Sequence, residues 1–109
     1  MNYKILKKLV VTIKKNKILN PKISYTAKLY KSGILGCKKK FLEEVKELLN
    51  SLNKSKKNII HEASDVFYHY LVLLERRKID LKDILQELNK RSKISGIEEK
   101  LRRNYVRPK

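Results

Sequence analysis

Apolar side chains recur at intervals of three and four residues along almost the whole chain, and no useful stretch alternates with a period of two. Three- and four-residue spacing gathers side chains on one face of an α-helix, whereas a half-buried strand needs strict alternation. The pattern therefore predicts an all-α fold. Ile5, Leu6, Leu9, Val10 and Ile13 form the stripe of a first helix, which must stop before Asn20-Pro21. Ser24 or Thr26 can cap a short second helix through Leu29 and Tyr30, ending near Gly33. A third, from about residue 36 to 53, carries Cys37, Phe41, Val45, Leu48, Leu49 and Leu52 inward. The polar run at residues 53–58 reads as a turn. A fourth helix, roughly 59–77, faces inward with Ile60, Ala63, Phe67, Tyr70, Leu71 and Leu74. Asp80 caps a fifth, with Leu81, Ile84, Leu85 and Leu88 inward.

One hundred and nine residues allow one domain, expected to span 1–109, with a partly irregular tail after about residue 92, where Gly96 and Pro108 lie. A chain of this size buries only about two-thirds of its unfolded surface. Val72 and Tyr68 lie off the main stripe of the fourth helix and widen its apolar surface. A bundle of four to five helices completed by homodimerisation is the expectation. The single cysteine, Cys37, excludes an internal disulfide framework and a multi-cysteine zinc site, and its place on the stripe makes it a core thiol. No apolar run approaches the roughly 20 residues that span a bilayer. The lysine-studded N-terminus does not read as a secretory leader, so the cytoplasm is expected and no membrane partner.

The formal net charge is +17, and all 11 acidic residues lie at or after Glu43. Residues 1–42 carry 12 lysines and no acid. Such asymmetry can serve a polyanion. Against that, Lys, Asn, Ile, Tyr and Phe, all favoured by AT-rich codons, fill 49 of the 109 positions. Arginine, the residue suited to bidentate phosphate recognition, is scarce. Charge alone assigns no function, and a specific nucleic-acid partner is not expected.

The chemistry-bearing residues are acids. Glu44 and Glu47 are three apart on the third helix, and Glu62 and Asp65 are three apart on the fourth. Residues at that spacing are neighbours on a helix surface. If the two helices pack antiparallel, both pairs can face one groove. Four converging carboxylates repel unless a cation neutralises them, and oxygen ligands favour a hard divalent ion, Mg²⁺ first. A single such pair is ordinarily a solvated helix face matched by lysines. Two pairs on consecutive helices leave both readings open on spacing alone.

The surrounding residues carry a resemblance. Glu44-x-x-Glu47 followed by Glu62-x-x-Asp65 resembles the metal signature of the all-α, MazG-type nucleotide pyrophosphohydrolases. Ser24-Tyr25-Thr26-Ala27-Lys28-Leu29, Gly33, Lys40, Glu43-Glu44, the run from Glu62 to Leu74, Leu88 to Arg91 and the run from Ser95 to Lys100 are similar to the phosphoribosyl-ATP pyrophosphohydrolases. The similarity spans residues 5–103. It implies Mg²⁺-dependent hydrolysis of phosphoribosyl-ATP to phosphoribosyl-AMP and pyrophosphate, the second step of histidine biosynthesis, by a homodimer. The cyclohydrolase domain fused to many relatives would bring further Cys and His ligands, and is not expected in this sequence. Two positions depart from the family pattern: Leu42 replaces a small residue and threatens to crowd the neighbouring helix, and Cys37 replaces a branched aliphatic one.

Under that resemblance Glu44, Glu47, Glu62 and Asp65 are both metal ligands and catalytic residues. Glu43 points about 100° away from Glu44 and reads as a water-orienting residue or a solvated acid. Lys40, one turn before Glu44, contacts phosphate or pairs with Glu44. Lys28 and Arg91 are phosphate or ribose candidates by family position only, and read equally as solvated surface charges. Ser24, Tyr25 and Thr26 begin a helix, where free N–H groups attract anions, and read equally as an N-cap with a packing tyrosine. His69 falls on the carboxylate flank as a substrate or metal ligand, or as a hydrogen-bonded histidine. Rival readings are a house-cleaning nucleoside-triphosphate pyrophosphohydrolase of the same fold, a basic nucleic-acid-binding helical protein, and an eroded, inactive copy.

Overall fold

A computed structural model of the chain describes residues 4–92. They form five helices and no strand: α1 (Lys4–Asn16), α2 (Tyr25–Lys31), α3 (Gly33–Ser51), α4 (Lys56–Arg76) and α5 (Leu81–Arg91). The expected tail and the run from Ser95 to Lys100 lie outside the described residues. Two compact units divide the chain, one ending at Ile79 and holding α1–α4, the other beginning at Asp80 and holding α5.

Local chemistry sets the boundaries. The Ser24 hydroxyl accepts the Ala27 N–H at 3.1 Å to start α2, and Ser55 accepts from Asn58 at 3.2 Å to start α4. Between α2 and α3 the backbone turns through Gly33 at φ 81°, a region open to glycine at little cost. Three residues on, a Cβ at Gly36 would lie 2.5 Å from that of Ser32, so the junction closes only around a residue with no side chain. α4 ends at Arg76, within one residue of the expected end, through a closure the sequence does not signal. Lys78 takes φ 57°, Lys78 N–H donates to the Glu75 carbonyl and Ile79 N–H to that of Leu74. This is a Schellman closure with lysine where glycine is usual. In the second unit Asp80 caps α5 as expected, accepting from Lys82 N–H at 3.0 Å, and Leu81 is buried.

Within the first unit α3 and α4 form the central pair, with α1 and α2 packed on it. The expected stripes meet across the seam, with the Phe41 and Tyr70 ring centroids 6.3 Å apart, and polar residues are buried beside them. On α3 the most covered positions are Cys37, Glu44 and Ser51, and on α4 they are His69, Leu71, Val72 and Glu75. Leu49, Leu52, Ile60 and Phe67, expected inward, are exposed, as is Ile5 on α1. Leu88 on α5 is exposed as well. The physical reason is visible in the contacts: α4 also serves α1 through Glu75 and α2 through His69, and part of each apolar stripe is left outward. Two further expectations fall. Val72 is wholly buried in its own unit rather than widening an outer surface, and Leu42 is exposed and crowds nothing.

The first helix is held by a charged clamp. Glu75, buried on α4, accepts from Lys14 Nζ at 2.7 Å and Lys17 Nζ at 2.6 Å, beside the buried Ile13. The Lys17 ammonium and the Arg76 guanidinium also lie 4.9 and 4.7 Å from the Tyr30 ring centroid, tying α2 to the same corner.

Candidate active site

The antiparallel pairing of α3 and α4 brings together three of the four predicted acids. One oxygen each from Glu44, Glu47 and Glu62 lies within 4.8 Å of the others. Glu44 is buried in the seam, Glu62 is half-buried and Glu47 is exposed. Glu62 Oε1 is shut off from solvent and has no hydrogen-bond partner. A buried carboxylate oxygen without a donor, beside two more carboxylates, is costly unless a cation completes it. The donors are all hard oxygens, which suits a divalent ion of the Mg²⁺ type and not a thiolate-seeking metal.

Asp65 stands one turn beyond Glu62 and outside this group of three. Its Oδ2 is 3.5 Å from His61 Nε2. It remains electrostatically part of the same wall, because its charge acts on the Tyr25 phenol together with that of Glu44. Burial is the main influence raising the Tyr25 pKa above the ordinary tyrosine value; Lys40 opposes it, and Glu44, Tyr68 and Asp65 add to it.

Around the acids the polar groups are arranged in order. Lys40 Nζ lies 3.5 Å from both Glu43 Oε1 and Glu44 Oε2, so the ion pair expected with Glu44 is present and is shared with Glu43. The Lys40 ammonium is held above its ordinary pKa, by Tyr25 first and then by Glu44 and Glu43, against the opposing effect of burial. His69 is buried, with Nδ1 2.8 Å from the Asp65 carbonyl and Nε2 3.1 Å from the Tyr25 hydroxyl. A carbonyl can only accept, so Nδ1 carries the proton. In the neutral ring Nε2 then accepts from Tyr25. His69 is thus hydrogen-bonded on both nitrogens and fixes the phenol.

The hydroxyls at the start of α2 are also engaged. Ser24 Oγ caps the helix and donates to the Asn16 carbonyl at 3.1 Å, while Thr26 Oγ1 is hydrogen-bonded to Tyr68, whose ring stacks on Tyr25. Tyr68 therefore packs inward, not on an outer apolar face. Of the three residues beginning α2, Tyr25 lines the larger of the two cavities described next, and Ser24 and Thr26 do not.

Two cavities flank the acids. One, of about 290 Å³, is lined by Tyr25, Lys28, Leu29, Lys39, Lys40 and Glu43 among others. The other, of about 280 Å³, sits at the α3–α4 turn between Glu47 and Glu62, with Asn50, Ser51, Lys54 and Asn58 completing its wall. Lys39 and these last four residues were missed in the sequence. They carry no motif, and residues 53–58 read only as a polar turn. Arg91 lies on α5 in the second unit, where its Nε is 3.2 Å from Glu87 Oε2.

A model of the phosphoribosyl-ATP pyrophosphohydrolase family matches residues 6–92, all four predicted acids included. The chain belongs to the phosphoribosyl-ATP pyrophosphohydrolase family. Phosphoribosyl-ATP pyrophosphatase of Rhodobacter capsulatus is 38% identical over 99 residues, covering 90% of this chain and 96% of that protein. The Dechloromonas aromatica protein of the same name is 41% identical over 100 residues, covering 91% and 93%. Histidine biosynthesis bifunctional protein HisIE of Helicobacter hepaticus is 43% identical over 104 residues, which span 94% of this chain and 45% of that longer protein. For a phosphoribosyl-ATP pyrophosphohydrolase family member, the structure supplies a carboxylate group, a polar cavity that shares Glu47 and Glu62 with it, and a more apolar cavity beside Lys40 and Glu43. Among the described residues no helix is long and apolar enough to cross a membrane.

Proposed function

We propose that the chain hydrolyses phosphoribosyl-ATP to phosphoribosyl-AMP and pyrophosphate, the second step of histidine biosynthesis, with Mg²⁺ held by Glu44, Glu47 and Glu62 and completed by Asp65. The observation that carries this reading is the convergence of three carboxylates around the orphaned, buried oxygen of Glu62. Mg²⁺ in such a site supplies charge neutralisation at phosphoanhydride oxygens and makes water a better nucleophile. Phosphoryl transfer depends on positioning and electrostatic stabilisation, so no covalent nucleophile is needed.

The chain's own residues supply the positioning. Lys40, between Glu43 and Glu44, fixes both carboxylates and offers its remaining N–H donors to phosphate. Glu43, about half exposed, orients water at the cavity mouth. Tyr25, fixed by His69, presents its ring to the nucleotide, and Lys28 and Lys39 take phosphate from the same cavity. Ser24 and Thr26 act by holding Tyr25 in place. Arg91 serves the substrate's ribose or phosphate. The family match runs across the boundary at Ile79, which supports one pyrophosphohydrolase domain over both units.

The functional form is a cytoplasmic homodimer, in which the exposed Leu49, Leu52, Ile60 and Phe67 of α3 and α4 are covered by a second copy. The test is pyrophosphate release from phosphoribosyl-ATP against a panel of ordinary nucleoside triphosphates, with and without Mg²⁺. Selective, Mg²⁺-dependent release from phosphoribosyl-ATP is the expected result. Faster release from an ordinary or damaged nucleoside triphosphate would instead make this a house-cleaning enzyme.

A further inference from the structure

We infer that the cavity at the α3–α4 turn receives the pyrophosphate half of the substrate, held by Lys54 and the side-chain amides of Asn50 and Asn58. The inference rests on the functional reading above, in which the α–β phosphoanhydride is cleaved at the carboxylate group. Attack on the α-phosphorus breaks its bond to the bridging oxygen, which leaves with the β- and γ-phosphates. Water enters in line with the leaving bridging oxygen, and the nucleoside oxygen is a separate substituent of the α-phosphorus, so the two product halves extend in different directions from it.

The linings of the two cavities are chemically unlike. The first offers the Tyr25 ring and the Leu29 side chain, surfaces for a purine, together with lysines for a sugar phosphate. The turn cavity offers no aromatic or aliphatic side chain at all: its wall is Glu47, Glu62, two amides, a hydroxyl and an ammonium. A base placed there would meet only polar groups, whereas pyrophosphate is an acceptor that needs donors. The donors are available. Lys54 Nζ has no ion pair, and the amides of Asn50 and Asn58 have no hydrogen-bond partner in the described fold. Ser51 is different, since its hydroxyl already donates to the Leu48 carbonyl at 2.7 Å and only shapes the wall.

The first cavity holds more lysines, yet its Lys40 is already shared between two carboxylates. Its remaining charge suits the phosphate on the ribose arm of the nucleotide half. Glu47 and Glu62, which belong to both the acid group and the turn cavity, place the pyrophosphate where the neutralising cation is needed.

The experiment titrates inorganic pyrophosphate and AMP separately into the full chain with Mg²⁺ by calorimetry. It compares wild type, Lys54→Met, Asn50→Ala/Asn58→Ala and Lys28→Met. Lys54→Met is expected to weaken pyrophosphate binding about tenfold and to leave AMP unchanged, with the double amide variant in the same direction and Lys28→Met affecting AMP instead. Unchanged pyrophosphate affinity in Lys54→Met, a loss confined to AMP, or no pyrophosphate binding by the wild type would each overturn the assignment. Absence of phosphoribosyl-ATP hydrolysis by the wild type would instead count against the functional reading, which this binding measurement does not use.

Discussion

Glu44 occupies a buried seam position where a helix pair ordinarily places an aliphatic residue, and it does so within reach of two other acids. Without a cation the arrangement stores repulsion. Replacing Glu44 or Glu62 with glutamine keeps the shape and removes a charge, so either variant should melt higher than wild type in EDTA. Added Mg²⁺ should raise the wild-type melting temperature and have little effect on the variants, because an ion stabilises only the state that binds it. Pyrophosphate release should fall about 10²-fold or more in both. Calorimetric scans with and without Mg²⁺ check the first two expectations, and normal Mg²⁺ stabilisation of Glu62→Gln would remove Glu62 from the ligand set. Tyr25→Phe tests the neighbouring element of the site. It deletes the donor to His69 Nε2 while keeping the ring, so a cost of about 1 kcal/mol in urea unfolding is expected, with KM rising more than kcat falls.

The helices pose a different question, since their identity is legible in the sequence and their facing only in part. The number of helices, the caps at Ser24 and Asp80 and the break before Pro21 follow from local chemistry that survives folding unchanged. On α3 and α4 hydrophobicity places Cys37 and Leu71 inward, as the structure has them, but it does not show that Glu44, Ser51 and His69 are buried as well or that Leu49, Leu52, Ile60 and Phe67 stay exposed. Helical spacing put Glu44, Glu47 and Glu62 on flanks that face one another. The partition of the acids into a group of three with Asp65 to one side needed the interhelical rotation, which no single-helix pattern contains. Long-range ion pairs are equally invisible. Burial works to raise the Glu75 pKa, but the hydrogen bonds and charge of Lys14 and Lys17 hold it below the ordinary value. A lowered native pKa contributes stability that is present above the ordinary glutamate range and is lost as the pH falls through the native value. Glu75→Gln should therefore destabilise the protein by about 1–3 kcal/mol at pH 7, and the gap to wild type should close as urea titrations are taken down toward pH 3. A constant gap would show that the clamp is not electrostatic. At the far end of α4, Lys78→Gly should stabilise by about 1 kcal/mol, by relieving a left-handed lysine.

At the scale of the whole molecule, net charge and apolar surface act in opposition. Each chain carries +17, so a homodimer brings together two strongly like-charged bodies. The apolar face formed by Leu49, Leu52, Ile60 and Phe67 favours association by removing that surface from water, a gain that salt does not screen. The repulsion is screened over about 10 Å at 0.1 M ionic strength. Dimerisation of this chain should accordingly tighten as salt is raised from low to moderate concentration. Nucleic-acid binding driven by phosphate neutralisation must do the opposite, since log K falls with log salt as counterion release loses its advantage. A salt series therefore separates the two roles that the charge could serve. Light scattering across that series should show a growing dimer fraction, while RNA retention on a filter fades to background. Leu49→Glu places like charges opposite each other if the interface is two-fold, and should yield a monomer at micromolar concentration whose helicity is unchanged. A wild type that stays monomeric at every salt concentration would leave that apolar face without its second copy.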